Sequence, residues 1–142
     1  MTRRIDPEGV AARAYYTHAV VTPGAPVFLT GQVAWDSEGR VVGVGDIEAQ
    51  IAQVWRNVFA VLDRIPADAS HIVKLTTFAT SRALIPAIHA EREKHFAPGA
   101  FPASTFIEVQ GLAEPELLVE VEVTLMLPPE HSGPGDAPGS VG

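Results

Sequence analysis

Two carboxylates stand inside an apolar run near the end of the chain: in "LLVEVEVTL", Leu117–Leu125, Glu120 and Glu122 interrupt a row of aliphatic residues. A carboxylate in apolar surroundings can take a proton from water and return it to a leaving group, and nothing in the local pattern separates Glu120 from Glu122 in that respect. The plain alternative is the solvated outer face of an antiparallel sheet, where acidic residues alternate with buried ones. His89, in "SRALIPAIHAEREKHF", titrates near neutrality and suits proton transfer, unless it is simply an exposed histidine on an amphipathic helix. No cysteine occurs in the sequence, which removes disulfides, thiolate metal sites and thiol nucleophiles.

The elements that must position these groups follow from the apolar spacing. "GAPVFLTGQVAWDSEGRVVGVG" predicts a hairpin, in which Val27, Leu29, Gly31 and Val33 alternate with Phe28, Thr30, Gln32 and Ala34, and Asp36–Gly39 forms the turn. "DIEAQIAQVWRNVFAVLDRIP" predicts a helix with Ile47, Ile51, Val54, Val58, Val61 and Leu62 on one face. Asp46 suits its N-cap, Arg64 its last turn and Pro66 its stop. "HIVKLTTFAT" predicts a strand, and Ser81–Phe96 a second helix with Pro86 in or near the first turn, where a missing N–H costs little. Strands around Thr105–Val109 and Leu117–Leu127 close the domain. The order is β-β-β-α-β-α-β-β, an α+β layer with two helices packed on one face of a mixed sheet.

Within the last strand, Val119, Val121, Val123, Leu125 and Leu127 belong under the helices, while Leu118, Glu120, Glu122, Thr124 and Met126 face away. In the strand before it, Ser104, Phe106 and Glu108 are expected to run beside the carboxylates as a second mixed face. Phe106 and Met126 speak for a covered face, because solvent gives a sheet little reason to expose them.

The chain of 142 residues is 46% hydrophobic and 19% charged, which fits one domain, expected over residues 1–127. "PPEHSGPGDAPGSVG", residues 128–142, offers almost nothing to bury and is expected to be a disordered tail rich in Pro and Gly. A formal charge of −7 with scattered basic residues argues against a nucleic-acid surface, whose affinity comes mostly from neutralised phosphates. The start lacks signal-peptide character and no apolar run approaches membrane-spanning length, so a soluble, cytoplasmic protein without a membrane partner is expected.

Four stretches, "YYTHAV", "VFLTGQVAWDSEGRVVGVGDIEAQIAQVWRNVFAVL", "HIVKLTTF" and "FPASTFIEVQGLAEPELLVEVEV", resemble the successive signatures of the RidA/YjgF family over roughly Ile5 to Leu127. The resemblance implies a chorismate-mutase-like α+β fold and a homotrimer with a small-molecule pocket at each subunit boundary. It also implies hydrolytic deamination of reactive enamines and imines, with no metal or organic cofactor. Tyr16 then matches the family's pocket tyrosine, Gly31 the glycine whose backbone borders the substrate, and Glu120 the carboxylate that positions water. His89 falls where the deaminases usually have asparagine. Trp35 and Phe106 would widen the apolar lining, or simply pack at the subunit boundary.

One departure bears on substrate. Deaminating members carry an arginine directly after the Pro-Ala pair, as a bidentate partner for the substrate carboxylate; here that position is Ser104, whose hydroxyl cannot neutralise a charge. Arg13, three residues before Tyr16, would restore the charge from the opposite wall if it is not a solvated loop residue. Two functions of different class follow. One is an enzyme acting on an enamine or imine other than a simple 2-imino acid, with Glu120 as base, Ser104 as binding group and His89 or Tyr16 as proton shuttle. The other is a non-catalytic ligand-binding or regulatory trimer. A ribonuclease gains nothing from an acidic chain without a basic groove.

Overall fold

The structure, a computed structural model, describes residues 1–11 and 14–129. Strands β1 (Arg3–Ile5) and β2 (Ala19–Val21) form an antiparallel ribbon, and β3 (Ala25–Phe28) joins the main sheet. Helix α1 (Ile47–Asp63), strand β4 (Ile72–Ala79), helix α2 (Ile85–Glu93) and strands β5 (Ala103–Glu108) and β6 (Val119–Leu127) follow, in the expected order. The main sheet runs β3-β6-β4-β5; β4 and β5 are parallel and the other pairs antiparallel. Parallel neighbours cannot be joined by a tight turn, and α2 provides the crossover.

The predicted hairpin is not a two-stranded element. Beyond β3 the chain touches β6 at Gln32 and Val121, and Trp35 meets Val41 in a single bridge across the turn. Asp36 closes that turn, its Oδ1 accepting from the backbone N–H groups of Glu38 and Arg40 at 2.9 Å each. The returning arm has no strand because Gly43 and Gly45 take φ of 75° and 73°, a left-handed backbone that no strand adopts.

Helix α1 starts where Asp46 Oδ1 accepts from Ala49 N at 3.1 Å. Its Ile51, Val54, Val58 and Leu62 are buried as the spacing predicts, each contributing roughly 1.5–3 kcal/mol. Val61 departs from that face, 37% exposed, while Gln50 and Trp55 are buried instead. Gln50 is accommodated because its amide is fully used: Nε2 donates to Gly43 O at 3.1 Å and Glu116 O at 2.8 Å, and Oε1 accepts from Leu118 N at 2.8 Å. This side chain ties the helix to the approach to β6. Helix α2 follows a 3-10 turn, Arg82–Leu84, capped by Ser81, with Pro86 in its first turn as expected.

In β6, Val119, Val121, Val123 and Leu125 are buried under the helices, Glu120 is half-buried and Glu122 exposed. The placement of β5 corrects the sequence reading. Ser104 pairs with Leu75 and Phe106 with Thr77, and these pair with Val123 and Val121, all four partners being buried. Ser104 and Phe106 therefore share the helix-covered face. Thr105 and Ile107 are the residues that run across β4 to Glu122 and Glu120. Alternation within one strand fixes two faces but not which of them a parallel crossover turns toward the core.

The expected tail falls on residues 130–142, outside the described residues, apart from Pro128 and Pro129. Among the described residues no helix is long and apolar enough to cross a membrane.

Candidate functional site

On the helix-free face, Glu120 lies flat against the backbone of Gly31: a Cβ built on Gly31 would meet the Glu120 carboxylate, with Cδ at 2.8 Å and Cγ at 3.1 Å. Only a residue without a side chain leaves that carboxylate room. Within the described chain Glu120 makes no ion pair or hydrogen bond. Gly31 N–H is left out of the pairing that binds Leu29 N to Val123 O at 3.0 Å and Gln32 N to Val121 O at 2.8 Å. A free carboxylate and a free backbone donor thus adjoin each other, the pair of groups needed to hold water beside a polarised double bond.

A second cluster forms around Ser104 on the other face. Arg92, from α2, is 4% exposed, and its Nη1 donates to Ser104 Oγ at 3.0 Å and to Tyr15 O at 3.1 Å. Nη2 donates to Thr77 Oγ1 at 3.2 Å, while Nε has no partner. Burial pulls the guanidinium down to about 10, which still leaves it charged at neutral pH. The His89 ring stacks on Tyr15 with centroids 4.3 Å apart. Burial, reinforced by Arg92 and opposed by Glu93, holds the imidazole below its ordinary range, so at neutral pH it is a neutral ring able to accept a proton.

Tyr15 is held in place from several sides. Its φ of 75° is costly for a residue with a side chain and persists only where the surroundings overdetermine it. Here Arg92 holds its carbonyl, His89 stacks on its ring, and Phe101 meets that ring edge-on at 5.9 Å. The neighbouring Glu93 carboxylate, as a hydrogen-bond acceptor first and as a negative charge second, holds its phenol above the ordinary tyrosine value. The segment that follows is anchored by Asp6, which accepts from Thr17 Oγ1 and His18 N at 2.8 Å each. Those bonds, the one from His18 foremost, keep the Asp6 carboxyl below its usual range. Thr17 N also donates to Pro102 O at 3.0 Å, extending the sheet past β5. Beside this segment opens a cavity of about 530 Å³, walled by Tyr15, Tyr16, Glu93, Phe96, Pro98 and Phe101.

Ser104, His89 and Tyr16 thus stand around one end of the sheet, and Glu120 with Gly31 on its opposite face. Phe106 packs against the core with Thr77 and Val121. Trp35 lies apart from both clusters; its Nε1 donates to Glu114 Oε1 at 2.7 Å and its carbonyl accepts from Asn57 at 2.9 Å. Arg13 lies outside the described residues. Arg92 and Tyr15 were not singled out in the sequence. The one available signal for Arg92 is its spacing, three residues after His89 and so on the same helical face. Among the described residues no three His, Cys, Asp or Glu side chains converge as a metal site needs.

Comparison with known proteins agrees with this architecture. The sequence model of the family described as Endoribonuclease L-PSP matches residues 7–126. A RutC family protein of Synechocystis is 31% identical over 114 residues, which span 80% of this chain and 86% of that protein. The crystal structure of YyfB from Yersinia pestis, a conserved Rid family protein of unknown function, superposes with a TM-score of 0.80 at 39% identity, covering 89% of this chain and 98% of that one. RidA from an Antarctic Psychrobacter shares the fold, with a TM-score of 0.67 at 24% identity over 82% of this chain and 92% of its own.

Proposed function

This chain belongs to the Endoribonuclease L-PSP family, the RidA/YjgF group, and on that premise we propose that it hydrolyses an enamine or imine at a site composed of two copies of the chain. The observation that carries the reading is the division of the candidate residues between opposite faces of one sheet. Glu120 and Gly31 are on the helix-free face; Ser104 and Arg92 are on the helix-covered one. A single chain cannot turn both sets toward one substrate. A neighbouring copy seated on the helix-free face brings them together, and a homotrimer closes that arrangement with one site per boundary.

The chemistry balances without an oxidant or reductant. An enamine first takes a proton at carbon to become an iminium ion. Glu120 removes a proton from water as its oxygen adds to the iminium carbon and returns that proton to the nitrogen of the carbinolamine; ammonia then leaves as the hydroxyl forms C=O, and the proton lost from the hydroxyl replaces the one taken up at carbon. Gly31 N–H and Ser104 orient the substrate, and neutral His89 or Tyr16 passes the proton. The cavity of about 530 Å³, walled by four aromatic side chains, suits a larger enamine than a simple 2-imino acid. Cleavage of RNA, which the family description names, is disfavoured by seventeen acidic against ten basic residues.

The test is ammonia release from enamines and imines generated in place by an amino-acid dehydratase or oxidase. Wild type should accelerate release from a bulky enamine over its decay in water, and Glu120→Gln should abolish the acceleration while leaving the melting temperature nearly unchanged. The exposed Glu122→Gln should keep the rate. Full activity in Glu120→Gln, or no acceleration on any enamine, would make the cleft a binding site without chemistry.

A further inference from the structure

We propose that Arg92 sets the specificity of this site: it supplies the positive charge that selects a substrate bearing a carboxylate, with Ser104 presenting the hydrogen bond. The inference rests on the reading above that the Ser104 cluster forms one wall of the substrate site.

A guanidinium has five N–H donors, and three are engaged, by Tyr15 O, Ser104 Oγ and Thr77 Oγ1. All three acceptors are neutral. Burying a cation without a counter-ion is unfavourable, and chains ordinarily supply one. Here the acidic neighbours on the same helix are directed elsewhere. Glu91 binds Lys94 at 3.2 Å and His95 at 2.8 Å, and Glu93 lines the cavity beside Tyr15. Among the described residues no carboxylate pairs with Arg92, and its Nε donates to nothing. The arrangement holds one positive charge in reserve for an anion from outside the chain.

Ser104 gives that charge a way out. Its Oγ accepts from Arg92, so its own proton is free to point away from the guanidinium, and a hydroxyl polarised by a cation is the stronger donor. Ser104 is only half-buried, whereas the arginine behind it is closed off. Arg92 also fixes the carbonyl of Tyr15, which walls the cavity, so the charge, the hydroxyl and the apolar space belong to one construction.

The test compares binding of phenylpyruvate with that of its neutral amide, by calorimetry on the assembled protein. Wild type should prefer the acid by about tenfold or more, the range of a charge-assisted contact. Arg92→Lys should keep part of that preference and Arg92→Met should lose it. The double variant Arg92→Met, Ser104→Arg, which moves the charge from helix to strand, should recover it. Should Arg92→Met fail to fold, Ser104→Ala still decides, because it should weaken the acid more than the amide. Equal binding of acid and amide by wild type, no saturable binding of the acid, or a preference that survives Arg92→Met or Ser104→Ala overturns the proposal. Ammonia release measured in parallel separates the two ideas. An Arg92-dependent preference without deamination leaves the carboxylate site standing and removes the enzyme, whereas deamination indifferent to Arg92 does the opposite.

Discussion

At the scale of residues, Gly31 decides where the Glu120 carboxylate can lie. Its backbone is unstrained, so an alanine would fit the chain's dihedral angles; the obstacle is the Glu120 carboxylate, which occupies the space of a Cβ. Because that carboxylate is the mobile end of a half-exposed side chain, Gly31→Ala should cost little stability, about 1 kcal/mol or less, at the low end of overpacking penalties. It should nevertheless displace the proposed base and, on the proposed function, lower ammonia release by more than tenfold, a loss visible in rate with the melting temperature nearly constant. His89 offers a pH test. Its folded value lies below the unfolded one of about 6.5, so the unfolded chain binds the proton more readily and stability falls as pH drops below that value. Thermal melts between neutral and mildly acidic pH should show this decline, and it should be smaller in His89→Gln.

At the scale of elements, the connection between α1 and β6 depends on a polar side chain in the core. Gln50→Leu has nearly the right volume but abandons Gly43 O, Glu116 O and Leu118 N. Buried groups left without partners cost about 1–3 kcal/mol each, and partial rescue by water brings the expected loss to roughly 2–4 kcal/mol. Urea unfolding measures it, and a change below about 1 kcal/mol would show that the amide is dispensable. Since Gln50 anchors the approach to the strand that carries Glu120, the variant should also loosen the carboxylate proposed as the base.

At the scale of the whole molecule, the helix-free face of the sheet is the feature that asks for a partner. Phe28 is 75% exposed and Ile107 39% exposed there, beside Phe78 and the two carboxylates. A second copy is the occupant that would also complete the site. Light scattering should give three times the chain mass of 15.1 kDa. Phe28→Asp, which puts a charge on that face away from Glu120, should shift the mass toward the single chain and reduce activity in the same proportion. A monomeric wild type would remove both the trimer and the shared site.

Local pattern determined much of this protein. The spacing of Ile51, Val54, Val58 and Leu62 forms a helix face in any context, and Asp46 and Pro86 mark helix starts through bonds made or forgone within a few residues. The alternation of Val119, Val121, Val123 and Leu125 fixes which side of β6 is buried, and with it the side on which Glu120 stands. The family signatures named Gly31, Tyr16 and Ser104 as site candidates by their order along the chain. Tertiary structure decided what no local pattern contains. Whether Ser104 and Phe106 face the helices or the carboxylates depends on the register of a parallel pair joined through α2. Whether a helical arginine meets a strand serine depends on how that helix lies across the sheet. The charge missing after the Pro-Ala pair could be sought in sequence only among near neighbours such as Arg13, while the fold places Arg92 against Ser104, because contacts across a crossover follow distance in space and leave no periodic trace in the chain.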